Sequence, residues 1–233
     1  AVAAIPEGLP AVVTIVLALG MRRMADRNAI VKRLPAVETL GGVDVICTDK
    51  TGTLTQNEMT VVRLYAEECD AVVGGSGYEP EGDIRDQEGT YVDPEGTASL
   101  RRLLEIGALC NDAALVENPD GSQGIIGDPT EAAMLVAARK GGILQASIAA
   151  DRPRVAALPF DSARKRMTTF HEGFPDSPVL ALVKGAPDIM IGRCVSLLTP
   201  DGIRPMTPED RDRLLAVNSA MGSDALRVLA FAF

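Results

Sequence analysis

The chain has 233 residues, 46% apolar and 24% charged, enough for one large or two small domains with real cores. A formal net charge of −9 argues against a nucleic-acid partner, because phosphate backbones select basic surfaces, although the run Arg164-Lys165-Arg166 leaves a small anion open. Aromatics are 3% with no Trp, so aliphatic side chains must fill the core, and four scattered cysteines without a CxxC pair fit a reducing compartment.

Residues 1–21 are nearly all apolar, with Glu7 the only charge, as in part of a spanning helix, which needs about 20 such residues. The run lacks the basic leader and small-residue cleavage site of a signal peptide. Its centre, Ile5-Pro6-Glu7-Gly8-Leu9-Pro10, cannot stay in an unbroken helix. A break of that kind frees carbonyls, and a carboxylate beside them is a candidate cation ligand. The competing reading is a core helix preceded by a loop in which Glu7 is solvated. Arg22, Arg23, Arg27, Lys32 and Arg33 follow, the positive edge expected where a helix leaves the membrane on its cytoplasmic side. The apolar runs at both ends suggest a piece of something longer.

Val43 to Thr48 reads as a short apolar strand of a buried parallel sheet. It leads into Asp49-Lys50-Thr51-Gly52-Thr53, and chemistry in open α/β sheets sits at strand carboxyl ends. Asp49 is therefore a candidate nucleophile toward phosphate, with Lys50, Thr51, Thr53 and the amides near Gly52 as charge-quenching donors. An Asx turn after a strand would explain the same carboxylate without chemistry.

The string Asp49-Lys50-Thr51-Gly52-Thr53 resembles the phosphorylation signature of P-type cation-transporting ATPases. Upstream, Pro6-Glu7-Gly8-Leu9-Pro10, Ala29-Ile30-Val31-Lys32 and Leu34-Pro35-Ala36-Val37-Glu38-Thr39-Leu40-Gly41 resemble the same family in order. The resemblance implies that Asp49 becomes an aspartyl-phosphate and holds Mg²⁺ with the Thr51 carbonyl. Related haloacid-dehalogenase-like phosphatases carry a second Asp at the position of Thr51; its absence implies a longer-lived phosphoenzyme. Glu7 followed by Leu9-Pro10-Ala11-Val12 resembles the calcium-pump branch, so Ca²⁺ is the implied cation, with Na⁺ and Mn²⁺ open.

Farther along, Gly74 to Gly96 is rich in Gly, Asp and Glu and reads as exposed and poorly ordered. Thr97 is expected to cap a helix with Leu100, Leu103, Leu104, Gly107 and Ala108 inward. A second helix starts at Asp128-Pro129-Thr130-Glu131, with Asp128 as N-cap and Glu131 placed for a capping box, and Gly141-Gly142 closes it. Val155–Phe160 and Arg166–Phe170 form a hairpin, and Val179–Val183 is an apolar strand ending in Lys184-Gly185-Ala186-Pro187. A lysine at a strand end facing glycine and a helix start makes a compact anion site. Thr199-Pro200-Asp201-Gly202 is a turn, Thr207 a cap, Leu226 to Ala230 a strand and His171 a surface strand residue.

Capping accounts for Asp128 and Glu131 unaided; the plain alternative for Phe160 is core packing and for Lys165 a solvated turn. The resemblance adds roles: Glu131 beside adenine, Phe160 stacked on it, Lys165 at the nucleotide's polar part, Met167 completing the same pattern, Lys184 and Gly185 in the adenosine pocket, and Arg227 at the phosphates. Ser162 departs from the arginine found in calcium pumps. The implied fold is α/β: the start of a haloacid-dehalogenase-like phosphorylation domain with an inserted α+β nucleotide-binding domain, an antiparallel sheet flanked by helices. Residues 1–21 would end the fourth transmembrane helix and 22–60 form stalk and phosphorylation domain. Residues 61–226 would bind nucleotide and 227–233 return. ATP and Mg²⁺ are the implied cofactors. A multi-pass cell-membrane protein with residues after about 21 in the cytoplasm is the implied setting. A stand-alone nucleotide-binding module and a soluble phosphatase are the rival readings.

Overall fold

A computed structural model describes residues 8–67, 69–175 and 177–233. The chain divides into two compact units between Gln56 and Asn57.

In the first unit, α1 (Leu9–Ala25) starts with Pro10 in its first turn and carries Arg22 and Arg23 in its last, where they complement the helix dipole. Helix α2 (Leu34–Gly41) likewise has Pro35 at its start. The two pack where Gly20 lacks a side chain, since a Cβ there would lie 3.1 Å from Val37 Cγ1. Leu9, Val12, Ile15, Val16 and Leu19 of α1 are all more than half exposed. Among the described residues no helix is long and apolar enough to cross a membrane. Glu7 lies outside the described residues.

The expected strand at Val43–Thr48 is not formed. A strand exists only by pairing, and no described strand lies alongside it, so Val45 and Ile46 stay 75% and 85% exposed. No described residue of this unit is fully buried.

The second unit begins with β1 (Arg63–Ala66), β2 (Cys69–Val73) and β3 (Ile84–Asp86), an antiparallel sheet in that order. Strand β3 corrects the expected disorder of Gly74–Gly96: Ile84 is 1% exposed, and Tyr78 and Val92 pack against the same core. Helix α3 (Ala98–Leu109) buries Leu100, Leu104, Gly107 and Ala108 as the spacing predicts. Thr97 does not cap it; its hydroxyl turns back and donates to Asp93 O at 3.0 Å. Strands β4 (Ala114–Glu117) and β5 (Gln123–Ile126) form a hairpin, followed by α4 (Pro129–Lys140) and α5 (Gln145–Asp151).

The largest sheet has the antiparallel order β11-β8-β7-β6, from β6 (Arg154–Asp161), β7 (Arg166–His171), β8 (Leu180–Gly185) and β11 (Ala230–Ala232). Helix α6 (Pro187–Arg193), the hairpin β9 (Ser196–Thr199) and β10 (Gly202–Pro205), and α7 (Pro208–Ser223) lie between β8 and β11 in sequence. The expected strand over Leu226–Ala230 is displaced to Ala230–Ala232, where it pairs with β8. The fold is thus a mixed α/β arrangement of antiparallel sheets and helices, with one core joining Leu64, Ile84, Leu100, Leu135, Met167 and Leu182.

A charged latch ties β1 to α7. Thr207 caps α7 in a capping box with Asp210. Arg204 forks onto Asp210 at 2.5 and 2.9 Å. Arg213 reaches Tyr65 Oη at 2.5 Å and Glu67 at 2.6 Å. The Arg204 guanidinium, with the Thr207 N–H, holds the Asp210 carboxyl well below the usual carboxylate range.

Candidate nucleotide site

The sequence-predicted residues of the second unit converge on one end of the large sheet. Asp128 caps α4 as expected, accepting from the N–H groups of Thr130 at 2.7 Å and Glu131 at 3.4 Å. Burial pushes its carboxyl up, but these bonds and the Arg227 charge outweigh it and leave the carboxyl below its ordinary value.

Glu131 does not complete a capping box. Its Oε2 accepts from the Asp112 N–H at 2.8 Å, and its Oε1 pairs with Lys184 Nζ. The two side chains are 16% and 9% exposed, so this ion pair is largely dry. Buried Asn111 fixes the approach by donating to Gly107 O at 2.9 Å and Glu131 O at 2.8 Å, tying the end of α3 to the start of α4. Asp112 in turn accepts from Arg154 of β6 at 2.6 Å. The sequence reading missed Asn111, Asp112 and Arg154. An Asn-Asp pair directly after an apolar helix was the available signal, but it is common in ordinary turns.

Lys184 sits opposite Met167 in the register of β8 and β7. On the other side of β7, Leu158 pairs with Thr168 and Asp161 with Arg166, so β6 carries one extra residue, a bulge. Alternation from Asp161 then assigns Phe160 to the face of Met167 and Lys184. Phe160, Met167 and Lys184 form one row across three strands, with Phe160 and Lys184 two strand spacings or roughly 10 Å apart. Phe160 is 65% exposed and Met167 1%, so Met167 is floor and core, while Phe160 offers a free ring face.

Gly185 permits the neighbouring approach of chains. A Cβ there would come within 2.6 Å of both Lys165 O and Arg166 Cβ. Lys165 is exposed, with φ 53 at the hairpin tip, and its carbonyl accepts from the Ala186 N–H at 3.0 Å. Arg227, also exposed, donates to Thr130 Oγ1 at 3.1 Å, which holds it over the start of α4.

His171, expected at the surface, is 2% exposed. Its Nδ1 lies 2.9 Å from Arg152 O and its Nε2 2.9 Å from Thr169 Oγ1. A carbonyl only accepts, so Nδ1 carries the proton and Nε2 takes the hydroxyl's. Burial pushes this imidazole below its ordinary pKa.

Asp49, Lys50 and Thr51 lie in the first unit, in an exposed turn. Asp49 Oδ1 accepts from the Thr51 N–H at 3.4 Å, Gly52 takes φ 71, and the Thr55 N–H closes the turn on Lys50 O at 3.1 Å. The Asx turn is therefore present, and it leaves the second carboxylate oxygen outside the turn's hydrogen bonds. Among the described residues no three His, Cys, Asp or Glu side chains gather as a metal cage.

Residues 99–233 match the family profile described as "P-type ATPase, cytoplasmic domain N". The chain belongs to the P-type ATPase family. Among its relatives, a cation-transporting ATPase of Synechocystis is 45% identical over all of this chain and 25% of its own length. A calcium-transporting ATPase of Bacillus subtilis is 42% identical over all of this chain and 26% of its own length. The bovine calcium-transporting ATPase type 2C member 1 is also 42% identical, over 24% of its length. The chain thus spans about a quarter of the length of these relatives.

Proposed function

We propose that residues 61–226 form the nucleotide-binding domain of an ATP-driven cation pump, and that ATP docks its adenine between Phe160 and the Glu131–Lys184 pair. The observation that carries this reading is that pair, set across Met167 from an exposed aromatic ring. Adenine presents an amino donor beside ring-nitrogen acceptors, and a carboxylate next to an ammonium offers the complementary acceptor and donor. Stacking on an exposed ring contributes about 1–3 kcal/mol per base. Lys165, Gly185 and Arg227 border the same end of the sheet, and in this reading the Arg227 guanidinium, held at Thr130, meets phosphate oxygens.

In the proposed pump, residues 1–21 end the fourth transmembrane helix, with Glu7 a ligand of the transported cation, Ca²⁺ by branch. Residues 22–60 are stalk and the start of a haloacid-dehalogenase-like phosphorylation domain, and 227–233 return toward it. The Asp49 carboxylate attacks the γ-phosphorus, the bond to the ADP oxygen breaks, and ADP leaves an aspartyl-phosphate. Lys50 and the amide-rich turn around Gly52 stabilise the phosphoryl charge. Mg²⁺ suits the donors present: it takes one or two carboxylates plus phosphate and water oxygens, which Asp49 and the Thr51 carbonyl begin to supply. Mg²⁺ would neutralise the transferring phosphoryl group. The full protein is then a multi-pass membrane enzyme, while this chain alone binds ATP with negligible turnover.

The test is calorimetric titration of ATP into the chain, with Phe160→Ala and Lys184→Ala beside it. Weak binding lost in both variants supports the pocket. Because Phe160 is exposed, its truncation should spare stability, so a folded Phe160→Ala protein that binds ATP normally sinks the assignment. Robust ATP hydrolysis by this chain alone would contradict the expected division of labour.

A further inference from the structure

One peptide group behind Glu131 is held at both ends. The peptide joining Asn111 to Asp112 donates its N–H to Glu131 Oε2 at 2.8 Å. Its carbonyl, Asn111 O, accepts from Arg154 Nη1 at 3.4 Å, and the same Nη1 donates to Asp112 Oδ1 at 2.6 Å. A trans peptide is planar, with its N–H and C=O pointing in opposite directions. An arginine that fixes the carbonyl therefore aims the N–H on the far side, here at the carboxylate.

Arg154 belongs to β6, the strand that also carries Phe160, and β6 has one neighbour, β7, among the described strands. The arginine thus ties the loop after α3 to the strand that presents the aromatic ring. Buried Asn111 secures the loop from within: besides its bonds to Gly107 O and Glu131 O, its Oδ1 accepts from the Ala113 N–H at 2.9 Å. An ionised carboxylate has about four acceptor sites on its two oxygens. Glu131 gives one on Oε1 to Lys184 and one on Oε2 to the Asp112 N–H, which leaves both oxygens able to take a ligand's donor. The last torsion of a glutamate is soft, so without that N–H the carboxylate could swing its second oxygen toward the Lys184 ammonium.

We propose that Arg154 and Asp112 are positioning residues for nucleotide recognition: they orient the peptide between Asn111 and Asp112 so that its N–H holds Glu131 ready to accept the amino group of adenine. This inference rests on the nucleotide reading above. It adds to it the discrimination between purines that carry the amino group and purines that lack it. Both residues act through Glu131.

Two triphosphates decide it: ATP, and purine riboside triphosphate, which differs from ATP by the missing amino group. Calorimetry on the wild-type chain should show ATP bound about 10-fold more tightly, the size of one hydrogen bond to a charged acceptor. Arg154→Ala and Asp112→Ala should each bring that ratio below about 3 while leaving the affinity for the analogue unchanged. Asp112→Asn keeps both the N–H and an oxygen for Arg154, and should hold the wild-type ratio. The ion pair is partly exposed, so either truncation should leave the chain folded, as checked by circular dichroism. A folded Arg154→Ala protein with the wild-type ratio overturns the proposal. So does an equal loss of affinity for both nucleotides, which is what a purely structural role would give. Equal binding of the two nucleotides by the wild type, lost in Phe160→Ala, would put the base at the ring but off Glu131 and overturn this inference alone. Binding that Phe160→Ala leaves intact sinks the pocket and this inference together.

Discussion

Removing the Lys184 ammonium leaves the Glu131 carboxylate, only 16% exposed, relying on the Asp112 N–H. Breaking one side of a largely buried pair is far worse than removing both. Lys184→Ala should therefore cost about 3 kcal/mol in urea unfolding. Adding Glu131→Gln to Lys184→Met should recover part of that loss, and a purely additive double variant would show that the two groups do not interact. His171 gives a second residue-level test because it is the only histidine, so one imidazole signal can be followed by NMR. Its pKa is depressed by burial, so the unfolded chain takes up a proton that the folded one refuses. Stability should be complete above the ordinary histidine value of about 6.5 and fall as pH drops below it. Between pH 7.5 and 5 the urea midpoint should decline in the wild type and stay flat in His171→Gln; a free imidazole titrating at its ordinary value would refute this. The lone histidine looked superficial in the sequence because strand alternation around it is ambiguous: Thr168, Thr169 and His171 are all buried, which a two-residue period cannot express.

Strand β8 meets the tip of the β6–β7 hairpin at Gly185, where backbone packs on backbone. Gly185→Ala should force that contact apart, lowering stability by about 2 kcal/mol in denaturant and weakening ATP binding through the displaced Lys184. Normal affinity with normal stability would mean that the hairpin tip can yield. Elements whose signals are local were legible in the sequence. The β6–β7 hairpin, the Asp128 cap, the double-glycine end of α4 and the Thr207 cap all follow from residues a few positions apart. Elements that depend on a partner were not. Val43–Thr48 has strand composition but no described neighbour, and β11 took its position from β8 rather than from its own apolar run. The candidate site divides likewise: Glu131, Phe160 and Lys184 were named, whereas Asn111, Asp112 and Arg154 join only when α3, α4 and β6 come together.

The core joins residues from Leu64 onward, and no described residue before Asn57 is fully buried. Deleting residues 1–56 should therefore leave the melting temperature of the remainder within about 2 °C, measured by circular dichroism. A larger drop would reveal a stabilising role for the first unit. What sequence patterns could not convey at this scale is the latch in which Tyr65 and Glu67 receive Arg213, with Asp210 gripping Arg204, because no local rule couples residues 148 positions apart. That latch sets a schedule for biosynthesis. A ribosome adding about 5–20 residues per second needs about 7 to 30 s between Tyr65 and Arg213, and for that interval β1 lacks its closing partner. The nascent domain must wait with its first strand unsecured, the period in which a chaperone would have most to hold.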